Sequence, residues 1–285
     1  MTQIGEAIAP PVVHKDENED CPFCPKEETN FKSHTDDKKD SFISYGGEKN
    51  DSKELSAIML DPKKLVERQP NARPKDGVFP NQRSEKRPKD KAIYDDSEMG
   101  ACSCEAHHLI SGKQALEGET FERWIIASRG TIARDTGYSV NNAENGLWAP
   151  SIPVKYQSGG WAALKPSEKY RLARSSMKHT KIQFHKGHHA IPPKDPEQEN
   201  YTKYNDYIKL KLKDMDERMQ GWADVCSCTE KAPGKYQPSV RANESLDRLS
   251  EHLLRKLTGT PEKWEIFISA HARDYTAELL GDVES

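Results

Sequence analysis

Two groups of histidines carry the clearest chemistry in this chain. His107 and His108 are adjacent, while His185 and His189 are four residues apart. At positions i and i+4 of a helical turn, two imidazoles lie on one face and can bind one metal ion. Adjacent residues on a strand point to opposite faces, so at a strand end or bulge His107 and His108 can have different chemical roles. We expect one of them to bind a metal and the other to act as a base near neutral pH.

Three histidines would give the metal a catalytic environment. His107, His185 and His189 supply three nitrogen ligands and leave coordination positions open for water and a phosphate oxygen. His188 lies on a different face of the predicted turn and is expected to be exposed or to contact phosphate.

An asparagine-rich turn lies between the two histidine groups. A side-chain amide can fix a general-base imidazole by hydrogen-bonding either the imidazole or the backbone beside it. Asn142 and Asn145 are the candidates for this role. The alternative is that both residues only favour the turn, as Asn145 before Gly146 does.

A basic run leads into the second histidine group. Between Lys155 and Lys186 the only acidic residue is Glu168. Such a run predicts a track of phosphate contacts, because nonspecific affinity for nucleic acid comes mostly from them. A solvated helix face is the alternative. The predicted contacts are Arg174, Lys178, Lys181, Lys186 and His188.

The six cysteines form three close pairs. Two are Cys-Ser-Cys motifs, Cys102/Cys104 and Cys226/Cys228, and together they predict a four-thiolate structural zinc site. Cys21/Cys24, a CxxC motif, is a substitute pair for that site. The alternatives are buried thiols, or a disulfide formed after export.

Composition divides the chain at about residue 95. Residues 1–95 are rich in Lys, Asp, Glu, Pro, Asn and Gly and predict a polar arm. The arm is either a solvated tether or an extended segment that drapes over the next domain or docks it to a carrier. One short helix is predicted at 52–68. The net charge of −3 excludes bulk basicity, and the mean hydropathy of −0.92 predicts that part of the chain is extended or disordered. No apolar run reaches membrane-spanning length. The first residues lack the features of a signal peptide, so we expect a protein made without one.

Residues 96–285 are predicted to form one domain, in which the periodicity of apolar residues favours helices. A short strand is predicted at 147–149, stopped by Pro150. The predicted helices span 119–134, 166–178, 197–219, 245–257 and 261–280.

The order of these motifs resembles a known family. Ala106-His107-His108, the asparagine turn, His185-x-Gly-x-His189 and Tyr201-Thr-x-Tyr204 resemble the AHH nucleases of the HNH/endonuclease VII superfamily. The resemblance covers roughly residues 101–215. It implies an α+β fold, a mostly helical domain around a small ββα-metal core. The departure from a compact core is the long stretch between the histidine pair and His185.

The resemblance also implies roles. His107, His185 and His189 would hold Mg²⁺, Mn²⁺, Ni²⁺ or Zn²⁺, and His108 would be the general base. Asn145, or with less support Asn142, would orient His108.

The expected function is that of a metal-dependent, nonspecific DNase. By resemblance it is a bacterial toxin, made in the cytoplasm, secreted and delivered into target cells, with an acidic immunity protein as inhibitor. RNA is the alternative substrate, and a zinc-stabilised binding module is the alternative class. A nucleobase deaminase is excluded, since no histidine is followed two positions later by glutamate.

Overall fold

The computed structural model describes residues 23, 50–60, 95–96, 100–101, 103–133, 135–186, 203–224, 226 and 235–281. The chain divides into two compact units, each built from several segments. The first unit comprises Lys49–Ala115, Val140–Ile208 and Leu249–Ser285; the second comprises Met1–Glu48, Leu116–Ser139 and Lys209–Arg248. Among the described helices, none has the length and apolar character needed to cross a membrane.

The first unit is built on a two-stranded antiparallel ribbon. Strand β3 (Ser103–His108) pairs with β4 (Gly146–Ser151), so that His108 lies opposite Gly146. Two shorter strands, β1 (Asp95–Asp96) and β2 (Gly100–Ala101), form a separate antiparallel pair. The predicted strand at 147–149 is confirmed. It continues through Pro150, which lies opposite Cys104.

Helices make up most of the remaining described structure, which confirms the α+β class. The α-helices are α1 (Ser52–Leu60), α2 (Gly160–Ala163), α3 (Pro166–Thr180), α4 (Tyr204–Asp224), α5 (Val240–Leu257) and α6 (Ala270–Leu280). A π-helical turn spans Gly112–Leu116, and 3₁₀ turns span Thr120–Trp124, Ala127–Arg129, Val154–Tyr156 and Pro261–Lys263.

Helix α1 begins at Ser52, as the sequence predicts, and its apolar face is covered. Leu55 is fully buried, and Met59 is nearly so. Met59 lies against Gly146 of β4 so closely that a Cβ at Gly146 would overlap its sulfur. Residues 61–68 of the predicted helix lie outside the described residues.

An apolar cluster of the first unit joins α3 to α6. Because these helices bury their apolar faces on one another, they fix the chain that leaves α3 toward His185. Its buried members are Trp161, Leu172, Ala173, Met177, Phe184, Trp264, Phe267, Ala272 and Tyr275.

One predicted helix, 119–134, is wrong, and another, 261–280, is confirmed only in its last part. Instead of one helix at 119–134, two 3₁₀ turns are separated by Ile126 in extended conformation. The Asp135 carboxylate accepts the Ala127 N–H at 2.5 Å, which draws the chain back on itself. Helix α6 begins only at Ala270, and the side chain of the preceding Ser269 caps it. The residues before it are held outside any helix, because the buried Gln183 amide bonds the backbone of Ile266 and Ile268 at 2.8 and 3.0 Å.

The second unit is organised around a buried carboxylate and an aromatic cluster. Asp216 accepts hydrogen bonds from Arg123 Nε and Trp124 Nε1, both at 2.8 Å. Phe23 is buried in the same unit, with its ring centroid 5.4 Å from Trp124 and 4.9 Å from Tyr236.

Candidate active site

The histidine pair ends strand β3. His107 lies opposite Leu147 and His108 opposite Gly146. Strand alternation turns their side chains to opposite faces. Both are buried, with 2% of His107 and 6% of His108 exposed, so each imidazole is placed by its neighbours rather than by solvent.

His108 is held by Asn141. The His108 Nε2 atom lies 2.7 Å from Asn141 Oδ1. An amide oxygen only accepts, so Nε2 carries the proton and the Nδ1 lone pair is left to take another. The ring is therefore fixed in the tautomer in which Nδ1 is the basic atom.

Burial also sets the charge of His108. Desolvation lowers its pKa below the ordinary 6.5, and the positive charge that His185 can carry acts in the same direction. The Asn141 bond and the Asp51 carboxylate oppose this shift of the pKa without reversing it. A ring that is neutral at pH 7 can accept a proton, which a general base must do.

His107 faces a different group of side chains. Its ring centroid lies 4.8 Å from that of His185 and 6.0 Å from that of Tyr204. Tyr204 is fully buried, and its hydroxyl donates to Leu109 O at 2.7 Å, just after the pair. Tyr204 thus packs on the His107 ring and fixes the backbone that follows the strand.

The His107 face opens to solvent at Glu105 and His185. Their side chains are 51% and 20% exposed, and Glu105 Oε2 lies 3.4 Å from His185 Nδ1. His185 holds the pKa of the Glu105 carboxyl below its ordinary 4.5. Carboxylates often orient metal-binding imidazoles in this way. Two imidazoles side by side fit a first-row divalent ion, because such ions favour nitrogen ligands.

The backbone of His185 is tied to the ribbon. Its N–H donates to Pro150 O at 2.7 Å, so the chain leaving α3 returns to β4. This contact brings His185 to His107 despite the long intervening sequence. His189, the third predicted ligand, and His188 lie outside the described residues.

Asn145 and Asn142 hold the backbone beside the pair. Asn145 Oδ1 accepts the Ile110 N–H at 2.6 Å, and its Nδ2 donates to Ile110 O and Val140 O, both at 2.8 Å. Asn142 Oδ1 accepts the Asn145 N–H at 2.9 Å. The amide in contact with the imidazole itself is that of Asn141, which the sequence analysis did not select.

The predicted phosphate contacts differ in their surroundings. Lys178, Lys181 and Lys186 are exposed. Arg174 instead pairs with Glu278, at 2.6 Å from Nη2 to Oε1, so its charge is already partly neutralised.

The cysteines predicted to bind zinc fall in different units. Cys104 is buried in the first unit and Cys226 in the second. Cys102 and Cys228 lie outside the described residues, as do Cys21 and Cys24. Within the described part of the chain, no group of three or more His, Cys, Asp or Glu side chains is arranged to hold a metal ion.

Three neighbours of the histidines were missed from the sequence. Asn141 adjoins Asn142, and nothing in the sequence shows which of these two asparagines contacts the imidazole. Glu105 could have been found, since alternation puts it on the His107 face. Tyr204 was noticed only as part of a motif.

A protein-family model matches the part of the chain that carries the histidine pair. Residues 93–224 match the model of AHH, a nuclease family of the HNH/ENDO VII superfamily with conserved AHH. The match confirms the resemblance drawn from Ala106-His107-His108. It includes His185 and begins after helix α1. No curated protein and no solved structure matches the chain.

Proposed function

Taking as premise that residues 93–224 are an AHH nuclease domain of the HNH/ENDO VII superfamily, we propose that this chain is a metal-dependent endonuclease that hydrolyses DNA without sequence preference. The observation that carries the proposal is the arrangement of His108. Its Nε2 is held by Asn141 at 2.7 Å and its Nδ1 is left basic, one residue from the histidine that lies beside His185.

Proton transfer is the role of His108. Its Nδ1 takes a proton from the attacking water as the oxygen approaches phosphorus, and the Asn141 bond stabilises the imidazolium that forms. Asn145 keeps the strand end from moving during this step.

His107 and His185 would hold the metal, with His189 as third ligand by family resemblance. The ion would supply charge stabilisation to the phosphate and the leaving oxygen. Glu105 orients His185 from behind, and the exposed lysines at the end of α3 offer contacts to neighbouring phosphates.

We also propose a biological role as an antibacterial toxin, for which the family resemblance is the support. A self-toxic nuclease requires a cognate inhibitor, and a basic substrate track fits an acidic immunity protein. We further propose that the chain is exported and delivered into a target cell, with the N-terminal arm engaging the carrier.

The first experiment compares wild type with His108→Ala on plasmid DNA, with Mg²⁺, Mn²⁺, Ni²⁺ or Zn²⁺ added in turn. The wild type should cut, and the variant should lose about 10²- to 10⁴-fold in rate, the usual contribution of a general base. His179→Ala, an exposed histidine on α3, is the matched control.

RNA and non-catalytic alternatives are separated in the same assays. Cleavage of tRNA or rRNA with intact plasmid would replace DNA by RNA as substrate. If the protein hydrolysed neither nucleic acid, and bacteria expressing wild type and His108→Ala grew equally, the result would support a non-catalytic binding module.

A structural zinc site is a separate proposal. Phe23, the residue before Cys24, is buried against Tyr236, whose hydroxyl donates to Ala223 O at 3.1 Å. The Cys226 N–H donates to that same oxygen at 3.1 Å. The chain at Phe23 therefore lies near the turn that carries Cys226, which favours Cys21/Cys24 over Cys102/Cys104 as partners of Cys226/Cys228.

Zinc content decides between these pairings. Protein purified without chelators should contain one zinc, lost in Cys24→Ser and Cys226→Ser and kept in Cys104→Ser. Loss in Cys104→Ser but not in Cys24→Ser would restore the pairing with Cys102/Cys104. If the wild type contained no zinc, the proposal of a structural zinc site would be wrong.

A further inference from the structure

Helix α1 lies outside the segment that matches the AHH family, yet it packs against the strands that carry the candidate site. Leu55 and Met59 are buried, and Met59 contacts β4 at Gly146. Gly146 is the strand partner of His108. The apolar face of α1 is therefore fixed on the ribbon at the level of the proposed base.

Polar contacts fix the start of the helix as firmly. Asn50 Nδ2 donates to Ser111 Oγ at 2.7 Å, and Asn50 Oδ1 accepts the Gly112 N–H at 2.8 Å. Asp51 Oδ1 accepts the N–H groups of Lys53 and Glu54 at 2.8 and 3.1 Å. A carboxylate in this position caps a helix and stabilises its first turn, so the position of Glu54 is well defined.

Two atoms of this first turn bind the Asn141 amide. The Asp51 N–H donates to Asn141 Oδ1 at 3.1 Å, and Asn141 Nδ2 donates to Glu54 Oε2 at 2.9 Å. A carboxylate only accepts and a backbone N–H only donates. Together they determine which end of the amide faces His108. The shape of the side chain alone does not distinguish the amide oxygen from the nitrogen, so the hydrogen-bond partners must assign them. The oxygen must face the imidazole.

From these contacts we propose that Glu54 is a positioning residue of the nuclease, holding His108 in the tautomer protonated on Nε2 through the amide of Asn141. The proposal rests on the function proposed above for His108. It makes α1, from the predicted N-terminal arm, a part of the active site. Glu54 touches neither substrate nor metal in this role.

A merely structural role for Glu54 makes different predictions. Glu54 is exposed, and hydrogen bonds of exposed side chains add little to folding stability. The anchoring of α1 comes from Leu55, Met59 and Asn50 instead. Removing the Glu54 carboxylate should therefore change catalysis without changing the unfolding temperature.

Steady-state kinetics on the full-length chain test the proposal. Glu54→Ala should lower kcat about tenfold with KM and Tm unchanged, since loss of such orienting contacts costs about 10- to 100-fold. Glu54→Gln should restore kcat, because its amide oxygen can accept the same bond. Glu251→Ala, an exposed carboxylate on α5 that pairs with Arg255, is the control and should match wild type.

A double-mutant cycle asks whether Glu54 acts through Asn141. Asn141→Ala should lower kcat about 100-fold, and adding Glu54→Ala should lower it no further, since residues in one network are not additive. Additive losses would overturn the proposal, as would wild-type kcat in Glu54→Ala, or equal losses of kcat in the alanine and glutamine variants.

Imidazole ¹⁵N spectroscopy gives a readout that needs no turnover. The His108 signals, assigned by their absence in His108→Gln, should show one tautomer with the proton on Nε2 in wild type and a mixture in Glu54→Ala. An unchanged tautomer in that variant would contradict the proposal. If wild type cut no nucleic acid, the proposed function would fail, and this spectrum would still decide whether Glu54 positions His108.

Discussion

His107 and His108 adjoin in sequence, but strand alternation gives them separate surroundings. His108 faces the Asn141 amide, while His107 faces His185 and Tyr204. A base must keep a lone pair available, whereas a metal ligand must share one. Placing the two residues on opposite faces lets neighbouring imidazoles meet both requirements without competing for one set of partners.

Asparagines at the turn also differ in what they hold. Asn145 is fully buried and bonds Ile110, Val140 and Ser250, the last at 3.1 Å. Asn141 bonds the imidazole and helix α1. The sequence indicated that an amide here would fix the base or its backbone, and the structure shows both kinds of contact. Which residue makes which contact depends on the fold of the turn, which no spacing rule specifies.

The first prediction concerns Asn145. Asn145→Ala should destabilise the protein by roughly 3 kcal/mol or more, because it leaves several buried backbone groups without partners at about 1–3 kcal/mol each. Urea unfolding measures the change. Asn141→Ala should cost less stability yet more activity in the folded state. Equal unfolding midpoints for the two variants would contradict this division.

At the level of helices and strands, apolar periodicity predicted those elements that bury one continuous face. Helices α3 and α5 were found this way, with their ends shifted by a few residues. The segments 119–134 and 261–280 also showed the pattern, but polar contacts made by the Asp135 and Gln183 side chains hold parts of them out of helix. Contacts of that kind leave no periodic signal, so sequence reasoning could not anticipate them.

The exposed lysines at and after the end of α3 give a prediction about substrate binding. Changing Lys178, Lys181 and Lys186 to Gln should raise KM with little change in kcat, since phosphate contacts add affinity without chemistry. The slope of log KM against log salt should fall by as much as about 3. Lys213, Lys235 and Lys263, also exposed, form a matched control set. A lower kcat with an unchanged salt slope would place the lysines outside the substrate track.

The contact between α3 and α6 gives a prediction about pH. Arg174 and, more weakly, Tyr170 hold the pKa of Glu278 below its ordinary 4.5. The folded state therefore binds fewer protons there, so this stabilisation is present above pH 4.5 and is lost as the pH falls through the folded value. Because the Arg174 and Glu278 side chains are 42% and 32% exposed, screening limits the contribution of the pair to roughly 1 kcal/mol.

Unfolding at two pH values measures this contribution. Glu278→Gln should be less stable than wild type at pH 7, and the difference should shrink near pH 3. Glu262→Gln, an exposed carboxylate in the Pro261–Lys263 turn, should show no such pH dependence. A constant difference at both pH values would assign the effect of Glu278→Gln to packing.

For the molecule as a whole, amino-acid composition did not indicate that residues of the polar N-terminal segment contribute to the candidate active site. The prediction of an arm at 1–95 rested on its polar residues, and its boundary stays a prediction. Within that range, residues 50–60 nevertheless contribute Leu55 and Met59 to the interior and Asp51 and Glu54 to the Asn141 network. Nine helical residues with two anchoring side chains are too few to alter the average polarity of a long segment.

Helix α1 contacts the ribbon noncovalently, and in the covalent chain residues 61–94 join it to the strands. That connection sets the local concentration of α1 at its binding surface. Cleavage at a protease site introduced into 61–94 would leave α1 on a separate fragment. The fraction of α1 binding surfaces that this fragment occupies would then depend on the protein concentration. Activity of the cut protein should then fall on dilution and return when a peptide of residues 49–60 is added, so that one enzyme becomes a two-component system.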